Sequence, residues 1–280
     1  MQTVAVNPTA PRKHKRSGAE IGLIGLALLG AVVMLGVPIS VIFVYAFRAG
    51  IEVYLANILE PNTLHAIGLT VMTALIVVPI NIVFGVAAAW LVTRFRFPGR
   101  KLLTTIIDIP FSVSPIVAGV IYLFLYGAQG LFGPLLADLG IRIMFTPIAI
   151  VLVSMFVTAP FVARELIPLM QTQGSEDEEA ALSLGAKGFQ TFWYVTLPNI
   201  RWALLYGAVL CNARVMGEFG AVSVVSGAIR GRTNTLPLQI ELLFNDLNVT
   251  GAFAAASTLT VIALLTMLVK VALESRRVHR

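Results

Sequence analysis

The sequence predicts an all-α membrane protein with about six transmembrane helices and both ends on the cytoplasmic side. Three observations carry this expectation. Hydrophobic residues make up 58% of the 280-residue chain and charged residues 12%, against roughly half and a quarter in a soluble domain. Apolar runs recur at lengths that cross a hydrocarbon core about 30 Å thick, which takes about 20 helical residues. Runs such as LIGLALLGAVVML do not alternate apolar and polar residues, as barrel strands must, and helices satisfy backbone polar groups within the segment itself.

The first span is expected over 20–47, after a basic cytoplasmic tail (1–19) containing Arg12, Lys13, Lys15 and Arg16. Its apolar stretch is far longer than the core of a secretory signal and no small-x-small cleavage site follows, so it reads as an uncleaved helix. A second span follows over 65–93 and a third over 104–126. Pro110 and Pro115 interrupt the first half of the third span, removing backbone donors and favouring a kink. That kink reads either as a packing feature satisfied by Ser112 and Ser114 or as a hinge for a gate. The fourth span, 143–163, carries Thr158-Ala159-Pro160, which has the same two readings. Arg164-Glu165 beyond it reads as a solvated pair. The fifth span is 202–226 and the sixth 252–273, with a cytoplasmic tail at 274–280.

Orientation comes from Lys and Arg near the span ends. With the N-terminus inside, fifteen of the twenty basic residues are cytoplasmic: Arg12, Lys13, Lys15, Arg16, Arg94, Arg96, Arg100, Lys101, Arg164, Lys187, Arg201, Lys270, Arg276, Arg277 and Arg280. Only Arg48, Arg142, Arg230 and Arg232 lie outside, and Arg214 falls within a span. Topology thus explains the net charge of +6; membrane lipid is an expected partner and no nucleic-acid partner is implied.

Several chemistries are missing. His14, His65 and His279 lie in a tail, an outer segment and the other tail, too dispersed for a metal site or a general-base pair. Cys211, the only cysteine, sits inside a span, so there is neither a disulfide framework nor a cysteine metal site. No G-x-x-x-x-G-K-[ST] loop occurs. If ATP drives this protein, another subunit must bind it.

The cytoplasmic stretch 164–201 is far longer than the usual helix connection of about 2–8 residues, and it is patterned. Ser175 followed by Glu178 reads as an S-x-x-E capping box, and Glu176, Asp177, Glu178 and Glu179 occupy the first turn, where the helix dipole favours negative charge. Gly185 is placed to end that helix in the left-handed conformation. FQTFWYVTLP reads as a second short helix, stopped before Pro198. Two readings stay open: a capped connector whose aromatics lie in the headgroup belt, or a ridge that docks into a groove on a cytoplasmic partner.

Glu179-Ala180-Ala181, three residues, Gly185, nine residues and then Val195-x-Leu197-Pro198 resembles the EAA loop of ABC importer permeases, with Val195 in place of the family's Ile. LTVMTALIVVPINIVFGVAAAWLVTRFRFPGR, DIPFSVSPIVAGVIYLFLYG, TLPNIRWALLYGAVLCNARVMGEFGAVSVVSG and LPLQIELL are similar to W-type permease subunits of sulfate/thiosulfate importers over roughly 40–275. Molybdate and tungstate importer permeases share a similar G-E-F-G-A stretch. The resemblance implies the type I ABC importer permease fold in a bacterial plasma membrane. It also implies a sister T-type permease, two copies of an ATPase that bind ATP-Mg in trans, and an extracytoplasmic sulfate/thiosulfate-binding protein. The chain would then hold no cofactor and be a transport subunit rather than an enzyme. Glu179, Ala180, Ala181, Gly185, Val195, Leu197 and Pro198 would form the coupling element against the ATPase. The rival is a self-sufficient secondary transporter using Asp108 or Glu218 as a proton relay.

Asn212, Arg214 and Glu218 lie within apolar sequence of the fifth span. A charge at the bilayer centre costs about 2.5–3.5 kcal/mol on insertion scales, so such residues face a bundle interior or an aqueous path. Arg214 and Glu218, spaced i, i+4, are able to neutralise each other. They read either as a structural salt bridge or, with Asn212, Ser112 and Ser114, as part of an anion route. On the outer side, Arg230 and Arg232 read as a binding-protein contact or as part of a solvated loop made mobile by Gly227 and Gly231. LPLQIELLFNDL reads as a short amphipathic helix on the outer face.

Overall fold

The computed structural model describes residues 18–278, with side chains described over 22–265 and at Leu268. The basic side chains expected inside at Arg12, Lys13, Lys15, Arg16, Lys270, Arg276, Arg277 and Arg280, together with His14 and His279, lie outside that set. Among the described residues the chain is helical throughout, with no strand.

Helix α1 (Gly18–Ala31) runs through a π-helical turn (Val32–Gly36) into α2 (Val37–Phe47). The wide turn sits just before Pro38: Val37 N–H bonds to Val32 O, five residues back, which accommodates a ring that would clash in a regular α-helix. None of the span Gly22–Phe47 is buried over its most apolar window. α3 (Ile51–Ile58) leads to α4 (Pro61–Arg94), 34 residues long. Glu60 caps α4, its Oε2 accepting from Thr63 N at 2.9 Å. Partial burial pushes the Glu60 carboxyl up, but hydrogen bonds from Thr63 and Asn62 outweigh it and hold the pKa below its usual value.

The third span is not one rod. α5 (Arg100–Ser112) and α6 (Pro115–Tyr126) meet at 107°. Pro110 is carried inside α5, and the chain turns at Val113 (φ −95°, ψ 130°) and Ser114 (φ −57°, ψ 135°), the latter kept out of the helical region by Pro115. The short α7 (Gly133–Asp138) precedes α8 (Pro147–Thr158) and α9 (Pro160–Gln173). α8 and α9 form one continuous span of 27 residues despite Pro160. Helix therefore extends ten residues past the expected end at 163.

α10 (Glu176–Ser183) and α11 (Gly188–Thr191) follow, then a π-helical turn (Phe192–Thr196) and α12 (Leu197–Met216). The expected stop before Pro198 does not occur. Leu197 N–H reaches Phe192 O, so the π turn absorbs the proline as the earlier one does at Pro38, and helix runs from Gly188 to Met216. The fifth span then breaks: α13 (Gly220–Ser226) departs at 51° after Gly217–Phe219. α14 (Leu236–Asn245) and α15 (Val249–Val278) complete the chain. α15 continues through 274–278, so the expected tail begins as helix.

Among the described residues, three helices are long and apolar enough to cross a membrane, or up to five if each bent pair is one span. Val249–Leu265 within α15 is a shorter apolar stretch. Among the described residues, two large apolar clusters, with a small one of Ala88, Ile107 and Ala163, organise the packing. One joins Val77, Val162, Leu166, Met170, Ile200 and Cys211 from α4, α9 and α12. The other joins Ala118, Ile150, Val153, Ala221, Val222 and Val225 from α6, α8 and α13. Close approach at Val162 depends on small residues: a Cβ on Gly85 would lie 2.6 Å from Val162 Cβ, and one on Gly207 3.2 Å from Val162 Cα. Between the clusters, Asn81 Nδ2 donates to Thr158 Oγ1 at 2.7 Å.

The loop before α14 is also not as expected. Thr233, Asn234, Thr235, Leu236, Leu238 and Gln239 are buried. Leu236 N donates to Thr70 Oγ1 at 2.8 Å, Thr233 Oγ1 to Ser226 O at 2.7 Å and Gln239 Nε2 to Thr63 Oγ1 at 3.3 Å. α14 thus packs into α4 and α15 rather than lying on a surface, because its leading turn carries polar groups that α4 threonines can satisfy. Gly227 and Ile229–Arg232 are the exposed parts of this loop.

Candidate coupling site and translocation path

The motif residues form an exposed corner. α10 has no buried residue. It ends as a Schellman turn: Ala186 N–H bonds to Ala181 O at 3.0 Å, Gly185 N–H to Leu182 O at 3.0 Å, and Gly185 takes φ +90°, a conformation that costs residues with a Cβ. The sequence placed this glycine correctly. Around the corner stand exposed apolar side chains: Leu184 (90% exposed), Tyr194 (80%) and Phe189 (74%), with Leu182 and Trp193 about half exposed. Pro198 is exposed as well, while Val195 and Leu197 are half-buried.

The capping box does not form. Ser175 makes no side-chain cap, its hydroxyl bonding instead to Glu179 Oε1. Glu178 turns inward. Its Oε2 accepts from Arg94 Nε at 2.6 Å and its Oε1 from Thr196 Oγ1 at 2.8 Å, and both charged side chains are only 12% exposed. Arg94 Nη1 also donates to Met170 O at 2.9 Å. Asp177 Oδ2 accepts from Asn199 Nδ2 at 3.0 Å. A cleft of about 670 Å³ lies beside this cluster, lined by Trp90, Arg94, Arg96, Arg100, Glu178 and Thr191 among others. Sequence reading missed Arg94 and Thr196, which lie 84 and 18 residues from Glu178; no local spacing signals such pairs.

Arg214 and Glu218 meet as expected, with Nη1 2.7 Å from Oε2. The oxygen makes no hydrogen bond by angle, so the contact is an ion pair without good donor alignment. Glu218 lies past the end of α12 rather than on a continuing helix face. Its side chain is buried, and Oε1 accepts from Ala221 N at 3.0 Å, capping α13. Arg214 remains a third exposed. Asn212 stands apart: two positions from Arg214 on a helix it points nearly the opposite way, and its amide contacts Met216 Sδ at 3.6 Å.

The break after Ser112 and Ser114 lies against the break at Glu218. A Cβ on Gly220 would be 3.2 Å from Pro115 and Ile116 side chains. Ser112 and Ser114 are both exposed there. Arg164 reaches across the fold. Its Nε is 3.0 Å from Asp108 Oδ1, and its guanidinium sits 4.3 Å from the Phe111 ring centre, tying α5 to α9. On the other side, Arg230 pairs with Asp246 while Arg232 is exposed. Among the described residues no three His, Cys, Asp or Glu side chains are grouped to hold a metal ion.

Comparison with known proteins follows the same lines. The chain is 58% identical to the sulfate transport system permease protein CysW of Escherichia coli strain K12 over 254 residues, covering 91% of this chain and 87% of that protein. It is 34% identical to the sulfate transport system permease protein CysT of the same strain, covering 90% and 91%. Its fold matches a crystal structure of a bacterial alginate ABC transporter in complex with an alginate pentasaccharide-bound periplasmic protein, with TM-score 0.74, 17% identity and coverage of 92% and 94%. The model of the family described as binding-protein-dependent transport system inner membrane component matches residues 81–279. With a broken helical bundle, an exposed glycine corner and these relatives, the chain belongs to the family of binding-protein-dependent transport system inner membrane components.

Proposed function

We propose that this chain is the transmembrane permease subunit of an ATP-driven importer of sulfate or thiosulfate. The observation that carries this reading is the 58% identity to a sulfate permease across most of both chains. The exposed apolar corner that follows α10 supports it, since a water-facing cluster of Leu184, Phe189 and Tyr194 suits a partner surface. In this reading α10 docks in a cleft of an ATPase through Glu179, Ala180 and Ala181, with Gly185 setting the corner and Val195, Leu197 and Pro198 leading into α12. Two ATPase copies bind ATP-Mg, a CysT-like sister permease completes the pore, and an extracytoplasmic binding protein delivers the anion, with Arg230 and Arg232 at its docking side.

The same reading gives six spans, each bent helix pair crossing once, with both ends inside a bacterial plasma membrane, 20–273 as the permease domain and 164–201 as the coupling loop. The facing breaks at Ser112–Ser114 and Gly217–Phe219 are the candidate anion route, with Arg214 as its positive group. A molybdate-type route uses the same architecture. Self-sufficient proton coupling is disfavoured because both candidate relay carboxylates, Asp108 and Glu218, are already ion-paired.

The test is uptake of labelled sulfate by membrane vesicles holding the full complex, with thiosulfate and molybdate as competitors. Uptake should require ATP and the binding protein, and sulfate and thiosulfate should compete with each other. Transport by the isolated chain on a proton gradient would overturn the reading, and competition by molybdate alone would reassign the substrate.

A further inference from the structure

α10 poses a mechanical problem. It has eight residues and buries none of them, and helices shorter than about 12 residues are marginal without tertiary support. Its backbone packs chiefly on α11 and the following π turn. A helix held this lightly would swing on its flanking glycines rather than carry a displacement into the spans.

Two side chains supply the missing connection. Arg94 is the last residue of α4, and its guanidinium bonds both Glu178 of α10 and the Met170 carbonyl of α9. The second oxygen of Glu178 takes the Thr196 hydroxyl, in the π turn that leads into α12. Four segments thus meet at one charge-assisted cluster, the stronger class of hydrogen bond. Because both side chains are largely shielded, salt screens the pair less than an exposed one. The neighbouring acid behaves differently: Glu179 is exposed, its carboxylate accepting from the Ser175 hydroxyl and its carbonyl from the Ser183 hydroxyl.

We propose that Arg94, Glu178 and Thr196 are positioning residues for energy coupling, a latch that makes α10 move as one body with the inner ends of α4, α9 and α12. Glu178 lies outside the motif that singles out Glu179, so adjacent acids divide the work, one facing the partner and one gripping the spans. This deepens the proposed function and rests on α10 docking to an ATPase.

The experiment uses the assembled complex in liposomes, reading sulfate taken up and ATP hydrolysed in the same vesicles, with co-purification as the measure of assembly. Glu178→Gln should co-purify with its partners and hydrolyse ATP, but with sulfate moved per ATP reduced about fivefold or more, the lower range of measured coupling effects. Thr196→Val should show a smaller loss. The exchanged pair Arg94→Glu with Glu178→Arg restores the ion pair but not the donor to the Met170 carbonyl, so it should recover part of the ratio, which a general loss of stability would not produce. A ratio for Glu178→Gln within twofold of the unaltered complex would overturn the latch. So would failure to assemble that the exchange does not repair, since the pair would then serve folding. Ala181→Arg is the separate control for docking. If it leaves ATPase association intact, the docking reading fails; if it abolishes association while Glu178→Gln transports normally, only the latch fails.

Discussion

Gly185 is the residue at which backbone conformation alone can be tested. Its φ is +90° and a Cβ there would meet nothing within 4 Å, so Gly185→Ala changes conformational preference without a clash. The cost of holding an L-residue in the left-handed region is about 1–2 kcal/mol, enough to loosen the α10 corner. Limited proteolysis should then cut faster between Leu184 and Gly188 while the rest of the chain keeps its pattern. Glu218 offers the opposite case, a side chain with two jobs. Glu218→Gln keeps an oxygen for Ala221 N and loses only the charge opposite Arg214, whereas Glu218→Ala loses the cap as well. The alanine variant should therefore be less stable than the glutamine variant by about 1 kcal/mol, the usual worth of a cap, as read by thermal unfolding in detergent. Both residues were legible in sequence, Gly185 by its place after an apolar turn and Glu218 by its spacing from Arg214. The role of Glu178 was not. Its position fits a capping box, and only the return of α4 and α12 to the same place provides better partners than its own helix backbone.

At the scale of elements, the spans were legible by length and apolarity, and their breaks only in part. Pro110 and Pro115 signal a kink, yet the turn of 107° arises because Val113 leaves the helix altogether. Conversely, Pro198 signals a stop that does not happen, since a π turn placed before it lets the helix continue, as another does at Pro38. Sequence spacing does not distinguish these outcomes, because it does not show how closely neighbouring helices hold the chain. The α4–α9 contact shows how tight that holding is. Gly85→Ala would bring a Cβ within 2.6 Å of Val162 Cβ and 2.7 Å of its Cγ1, forcing the helices apart at a cost of about 1–3 kcal/mol, as overpacking does. Adding Val162→Ala removes only the Cγ1 clash, so a double-mutant cycle should recover part of the loss and not all of it. Full additivity of the two variants would mean that the helices do not approach this closely.

For the whole molecule, the outstanding question is how often the chain crosses the bilayer, and its own composition makes this testable. Cys211 is the only cysteine and is buried, with weak sulfur contacts of 3.8 Å to Asn81 Nδ2 and 3.9 Å to Thr158 O. Cys211→Ala should therefore leave a functional, thiol-free background. Leu184 and Arg232 are both exposed; the first sits on the α10 corner and the second between α13 and α14. One crossing by the bent pair Gly188–Met216 and Gly220–Ser226 places them on opposite sides of the membrane. A membrane-impermeant thiol reagent applied to intact cells should then label Arg232→Cys and spare Leu184→Cys until the membrane is opened. Labelling of both from the same side would mean that the 51° break returns α13 to the side it came from. The two facing breaks would then line a re-entrant vestibule instead of a continuous route, and Arg214 would guard one entrance rather than the middle of the path.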